Sequence, residues 1–87
     1  MTTSNRDNRA QATRLSFQDD RLVVELSDGR ILSTPIEWYP RLHQATDEQR
    51  GNWRLEDDGR GIHWPDVDED LSVEGMLKGI PATKRVV

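Results

Sequence analysis

Asp66, Asp68 and Asp70 stand at alternate positions, the spacing of the first, third and fifth ligands of a calcium loop. Such a loop needs Gly at its sixth position for a sharp turn and a bidentate acid at its twelfth. Here those positions hold Leu71 and Leu77, so the match fails where geometry is most demanding. Acids just ahead of a helix have a simpler use, because the partial positive charge at its N-terminus stabilises them. Gly59-Arg60-Gly61 opens like a dinucleotide fingerprint but reaches Trp64 where the third Gly belongs, and it lies inside a hairpin. Neither a Gly-Lys-Ser/Thr phosphate loop nor a Gly-x-Ser-x-Gly elbow occurs.

His43 and His63 are the only histidines. His63 lies beside Trp64 on a strand and is expected at the surface or in a polar contact. His43 falls on the flank of a helical stripe. General acid–base work needs a base held by an orienting acid and facing a nucleophile. No spacing ties either histidine to such a set. With no cysteine in the chain, thiol catalysis, disulfides and thiolate metal sites are excluded. The expectation is a non-enzymatic protein with no cofactor and no metal.

The aromatic residues are Phe17, Trp38, Tyr39, Trp53 and Trp64, and each sits in or beside an expected element. They can supply the core of a small domain. They can also supply a contact surface, since Trp, Tyr and Arg dominate binding hot spots and Arg41, Arg50, Arg54 and Arg60 lie close in sequence. The candidate interaction surface is Trp38, Tyr39, Arg41, Trp53, His63, Trp64, Asp66, Asp68, Glu69 and Asp70. Those arginines could instead stack on single-stranded nucleic acid. The charge balance argues against nucleic acid as a partner of the chain on its own: 12 basic residues face 16 acidic ones, for a net charge of −4. Residues 66–74 hold five acids and no base, a solvated face or a docking patch for a basic partner.

The chain has 87 residues, of which 33% are hydrophobic, enough for one thin core. No apolar run approaches the roughly 20 residues of a membrane-spanning helix, and no secretory leader opens the chain. A cytoplasmic protein is expected. Residues 1–13 read as a disordered tail, 14–80 as one domain and 81–87 as a C-terminal tail.

Alternation marks Leu15 and Phe17, then Leu22, Val24 and Leu26, then residues 30–36 as an antiparallel meander. The second hairpin admits two registers. A two-residue Asp28-Gly29 loop pairs Leu26 with Ile31. A three-residue loop with Gly29 left-handed pairs Val24 with Leu32 and Leu22 with Thr34. The second keeps the apolar residues on one face and is preferred.

Pro35 ends the third strand, and Pro40 fits the first turn of a helix carrying Trp38, Leu42 and Ala45. Thr46-Asp47-Glu48-Gln49 has the layout of a capping box that starts a second short turn. Trp53 and Leu55, then Ile62 and Trp64, make another hairpin, closed by Pro65. An acidic loop follows over residues 66–70. Ser72 caps a last helix with Val73, Met76 and Leu77 on one stripe, and Gly79 ends it. The order β-β-β-α-β-β-α implies a two-layer α+β domain.

Several blocks resemble the Domain of Unknown Function 2442 family. They are Leu22-Val23-Val24-Glu25-Leu26-Ser27-Asp28-Gly29-Arg30, Pro35-Ile36-Glu37-Trp38-Tyr39-Pro40-Arg41-Leu42, and Gly61-Ile62-His63-Trp64-Pro65-Asp66-Val67-Asp68-Glu69-Asp70-Leu71-Ser72-Val73, with residues 46–53 between the last two. The resemblance covers residues 15–79. It implies a bacterial protein with a small α+β fold and no assigned activity, so no catalytic residue carries over. Members of that family occur alone, beside another small protein in arrangements like toxin–antitoxin pairs, or ahead of a helix-turn-helix domain. Only eight residues follow Gly79 here, so no DNA-binding domain is expected. The leading expectation is an interaction or regulatory module, antitoxin-like, whose partner is another small protein or a second copy of itself. Operator or other nucleic-acid binding is one alternative. A small-molecule sensor with a cleft near Trp38, Trp53 and Trp64 is another.

Overall fold

Two antiparallel three-stranded sheets face one core in this computed structural model, which describes residues 10–82. The first sheet is β1 (Ala12–Gln18), β2 (Arg21–Leu26) and β3 (Ile31–Pro35) in that order. Asp19 (φ 50°) and Asp20 (φ 62°) form the two-residue turn between β1 and β2. A type I′ turn asks for left-handed residues at both positions, and Asp tolerates that region. Between β2 and β3 the three-residue loop holds: Val24 pairs with Leu32, Leu22 with Thr34, and Gly29 is left-handed at φ 96°. Arg30 closes this loop through its backbone N–H and guanidinium to Asp28. Those contacts hold the Asp28 carboxyl below its ordinary value of 3.8, the Arg30 side-chain hydrogen bond being the largest cause.

Ile36–Trp38 forms a 3-10 turn ahead of α1 (Pro40–His43). The expected stripe of Trp38, Leu42 and Ala45 is therefore not one helix. Tyr39 lies outside the helical region at φ −125°, ψ 86°, since a following proline disfavours that region, and this cuts Trp38 off from the helix. The capping box then opens α2 (Asp47–Gly51): Gln49 N–H donates to Thr46 Oγ1 at 3.1 Å, and Thr46 N–H donates to Gln49 Oε1 at 2.9 Å.

The second sheet is β4 (Arg54–Glu56), β5 (Gly61–Trp64) and β6 (Glu69–Ser72), with β5 central. Strand β6 corrects the expectation of an acidic loop. Glu69 pairs with Trp64 and Leu71 with Ile62, so the end of the acidic run is a strand with alternate residues turned inward. Ser72 then caps α3 (Val73–Leu77) by accepting from Gly75 N–H at 2.9 Å. Ile80 N–H to the Gly75 carbonyl and Gly79 N–H to the Met76 carbonyl close a Schellman motif with Gly79 at φ 75°.

Leu15, Leu22, Val24 and Leu26 from the first sheet meet Ile62, Trp64 and Leu71 from the second. Ile36, Tyr39, Leu42, Val73 and Met76 fill the rest. Trp64 is fully buried, with Phe17 edge-on at 6.3 Å. The ordered domain is longer than expected at both ends. Ala10 and Ala12 are buried and Ala82 packs on the core, so residues 10–13 and 81–82 belong to it. Residues 1–9 and 83–87, the remainder of both expected tails, lie outside the described residues. Among the described residues, no helix is long and apolar enough to cross a membrane.

Candidate functional site

The ten residues expected to form one surface separate into an inner and an outer set. Tyr39, Trp64 and Glu69 are inside, at 0%, 0% and 2% exposure, and are corrected from contact surface to core. Burial of Tyr39 and Trp64 removes large apolar rings from water. The Tyr39 hydroxyl donates to Thr34 Oγ1 at 3.0 Å, and burial raises the pKa of its phenol above the usual 10.0. Glu69 faces inward because β6 alternates. Its Oε1 accepts from Asp70 N–H at 3.1 Å and lies 4.0 Å from Arg41 Nη1. Trp38 and Trp53 are half-buried against the core.

The remaining residues are outside, in two groups. Around the β5–β6 turn, Arg41 donates to the Asp68 carbonyl at 2.7 Å and Asp66 accepts from Asn52 Nδ2 at 3.0 Å. On the outer face of the second sheet, His63 Nδ1 lies 2.8 Å from Asp70 Oδ1, the two residues being direct cross-strand partners. Glu56 joins this second group. Its donor atom and those of His63 and Asp70 all lie within 4.8 Å of one another.

Glu56 is not among the expected surface residues: its expected place is the turn after Leu55, whereas it is the last residue of β4. Asp70 comes beside His63 only through the pairing of β6 with β5, which the expected acidic loop does not provide. The arginines proposed for base stacking have protein partners. Arg54 pairs with Glu56 at 3.6 Å and Arg60 with Asp57 at 3.4 Å. Arg50 donates to the Leu42 and His43 carbonyls at 2.9 and 3.0 Å, and its guanidinium lies 5.7 Å from the Phe17 ring centroid. Arg50 is a structural residue.

Beside the outer face runs an open cleft of about 480 Å³. Leu71, Met76, Ile80, Pro81 and Ala82 supply its apolar lining. Its charged lining is Glu56, Asp57, Arg60 and Asp70, three acids against one base. None of the three tryptophans lines it, so this cleft is not the one expected beside Trp38, Trp53 and Trp64. Ile80 is 53% exposed. The His63–Asp70 pair has the form of an oriented base. Ser72, on the same sheet face, spends its hydroxyl on the Gly75 N–H as a helix cap.

The chain belongs to the family described as Protein of unknown function (DUF2442), whose model matches residues 12–82. It is similar to a crystal structure of a protein of unknown function from Rhodospirillum rubrum, with 30% identity and a TM-score of 0.75. That match covers 86% of this chain and 93% of the other. An uncharacterized protein from Chromobacterium violaceum, solved by NMR, is 20% identical with a TM-score of 0.75, over 91% of this chain and 74% of that one; it shares the fold. No curated protein matches the chain significantly.

Proposed function

We propose that this domain is a non-enzymatic interaction module that takes a short segment of another small protein along the cleft between the second sheet and α3. The observation that carries this is the cleft's composition, an apolar lining beside a rim of three acids and one base. A matching segment presents apolar side chains to Ile80, Pro81 and Ala82 and carries a Lys or Arg that reaches Asp57. Leu77 and Ile80, 37% and 53% exposed, extend the apolar surface beside the cleft. Apolar surface in a groove with a polar rim is what short helical or extended segments bind. A regulatory, antitoxin-like pairing with a co-expressed small protein is the biological form of this reading.

The arginines favour it over nucleic-acid binding, because Arg41, Arg54 and Arg60 each face a carboxylate. The test is co-expression with the product of the neighbouring gene and purification of the pair. A stoichiometric complex that Ile80→Asp abolishes, with the domain still folded, supports the reading. A complex indifferent to Ile80→Asp, or no complex, overturns it.

A further inference from the structure

We infer that Glu56, His63 and Asp70 form a binding site for a divalent transition metal of the zinc class. The site goes beyond the docking reading and does not depend on it. Its geometry follows from strand register. His63 is on central strand β5, flanked directly by Arg54 on β4 and Asp70 on β6. Side chains opposite one another on a sheet face lie within contact distance. Glu56 is two residues along from Arg54 and so shares that face, opposite Gly61, which puts no side chain beside it.

The three donors come from three strands rather than from one flexible loop. The His63 side chain is only 16% exposed and is held by its contact with Asp70. Trp64, the next residue, anchors β5 in the core. Donor atoms on rigid elements lose little freedom when they close on an ion.

Donor chemistry selects the ion. One imidazole and two carboxylates suit zinc and its neighbours, whereas calcium takes oxygen ligands and magnesium keeps most of its water. Ligand atoms around tetrahedral zinc lie roughly 3.3 Å apart for bonds of about 2.0–2.1 Å. The His63–Asp70 contact at 2.8 Å opens slightly to meet that spacing. The exposed Glu56 swings in from within 4.8 Å. Two carboxylates balance the charge of a divalent ion. The metal displaces Arg54 from Glu56, and an exposed pair of this kind gives way readily. Glu56 and Asp70 also line the cleft, and three protein donors leave one position of a tetrahedral ion for water.

The experiment is titration of the tag-free full-length chain with zinc chloride, followed by calorimetry and by the histidine ring resonances. One ion binds per chain, the His63 ring signals move, and those of His43 do not. Glu56→Gln and Asp70→Asn each weaken zinc binding about tenfold or more. Asp66→Asn, an exposed acid outside the cluster, leaves it unchanged. Both informative variants alter exposed carboxylates, so the fold survives them, and unchanged melting temperatures verify that. Binding that ignores Glu56→Gln and Asp70→Asn, or equal movement of the His43 and His63 signals, overturns the site. Loss of docking by Ile80→Asp with zinc binding intact separates this proposal from the previous one.

Discussion

The indole Nε1 of Trp64 donates a 3.0 Å hydrogen bond to the backbone carbonyl of Arg50. One bond thus ties the central strand of the second sheet to the last turn of α2, and it places the polar atom of a fully buried ring. Among the described residues, every buried side-chain nitrogen and oxygen has a hydrogen-bond partner. The core is mostly apolar, and the polar atoms it does bury, those of Thr34, Tyr39, Trp64 and Glu69, are paired, as a small domain with little stability to spare requires.

Trp64→Phe removes the indole donor, leaves the Arg50 carbonyl short of a partner and opens a void beside Phe17. The expected cost is about 2–3 kcal/mol. Urea unfolding monitored by circular dichroism measures it, and a loss below about 1 kcal/mol would contradict the role given to this ring.

Arg50→Lys keeps the charge and removes the planar fork that reaches two carbonyls at the end of α1. Lysine cannot hold the Leu42 and His43 carbonyls in that geometry and stacks less well near Phe17. A loss of about 1–2 kcal/mol is expected. The same change at Arg41, exposed and reaching the β5–β6 turn, is expected to stay within about 0.5 kcal/mol.

Gly59→Ala and Gly29→Ala separate conformational strain from steric contact. Both glycines are left-handed, at φ 88° and 96°. A Cβ at Gly29 meets nothing within 4 Å, whereas at Gly59 it falls 2.6 Å from the Ala12 carbonyl oxygen. Gly29→Ala is expected to cost about 1 kcal/mol and Gly59→Ala about 2–4 kcal/mol. Equal melting temperatures for the two variants would refute the close packing of the β4–β5 connection on β1.

Tyr39 is the only tyrosine in the chain, so phenolate absorbance reports it alone. Burial raises its pKa above 10.0, opposed by the Thr34 hydrogen bond and reinforced by the charge of Glu69. A group whose folded pKa is raised contributes stability that is complete below its unfolded pKa and is lost as pH rises through the folded one. The native phenol is therefore expected to titrate above pH 10. Stability should begin to fall from about pH 10 upward. Tyr39→Phe removes that dependence and costs about 1 kcal/mol at neutral pH through the lost hydrogen bond to Thr34. A native midpoint at or below 10 would place the hydroxyl in water.

Local chemistry was readable wherever neighbours in sequence are neighbours in space. The Thr46–Gln49 capping box, the Ser72 cap and the left-handed Gly79 all follow from short-range spacing, and the structure contains each. The register of β2 against β3 followed from keeping Leu22, Val24 and Leu32 on one face. Strand β6 was hidden because Glu69-Asp70-Leu71-Ser72 has low intrinsic preference for a strand. Pairing with β5 overrides that preference and draws Glu69 inside. The Trp38 stripe misled for the opposite reason: its period is helical, but Pro40 forces Tyr39 out of the helical region.

By itself the sequence determined the α+β class, the first meander and its register, both side-chain helix caps and the family. Each depends on steric rules acting over a few residues or on recognisable blocks. Tertiary structure alone decided which aromatics are core, that the end of the acidic run is a strand, and that Glu56, His63 and Asp70 share one face. Those depend on contacts between strands separated by turns, where a shift of one residue exchanges the inner and outer faces.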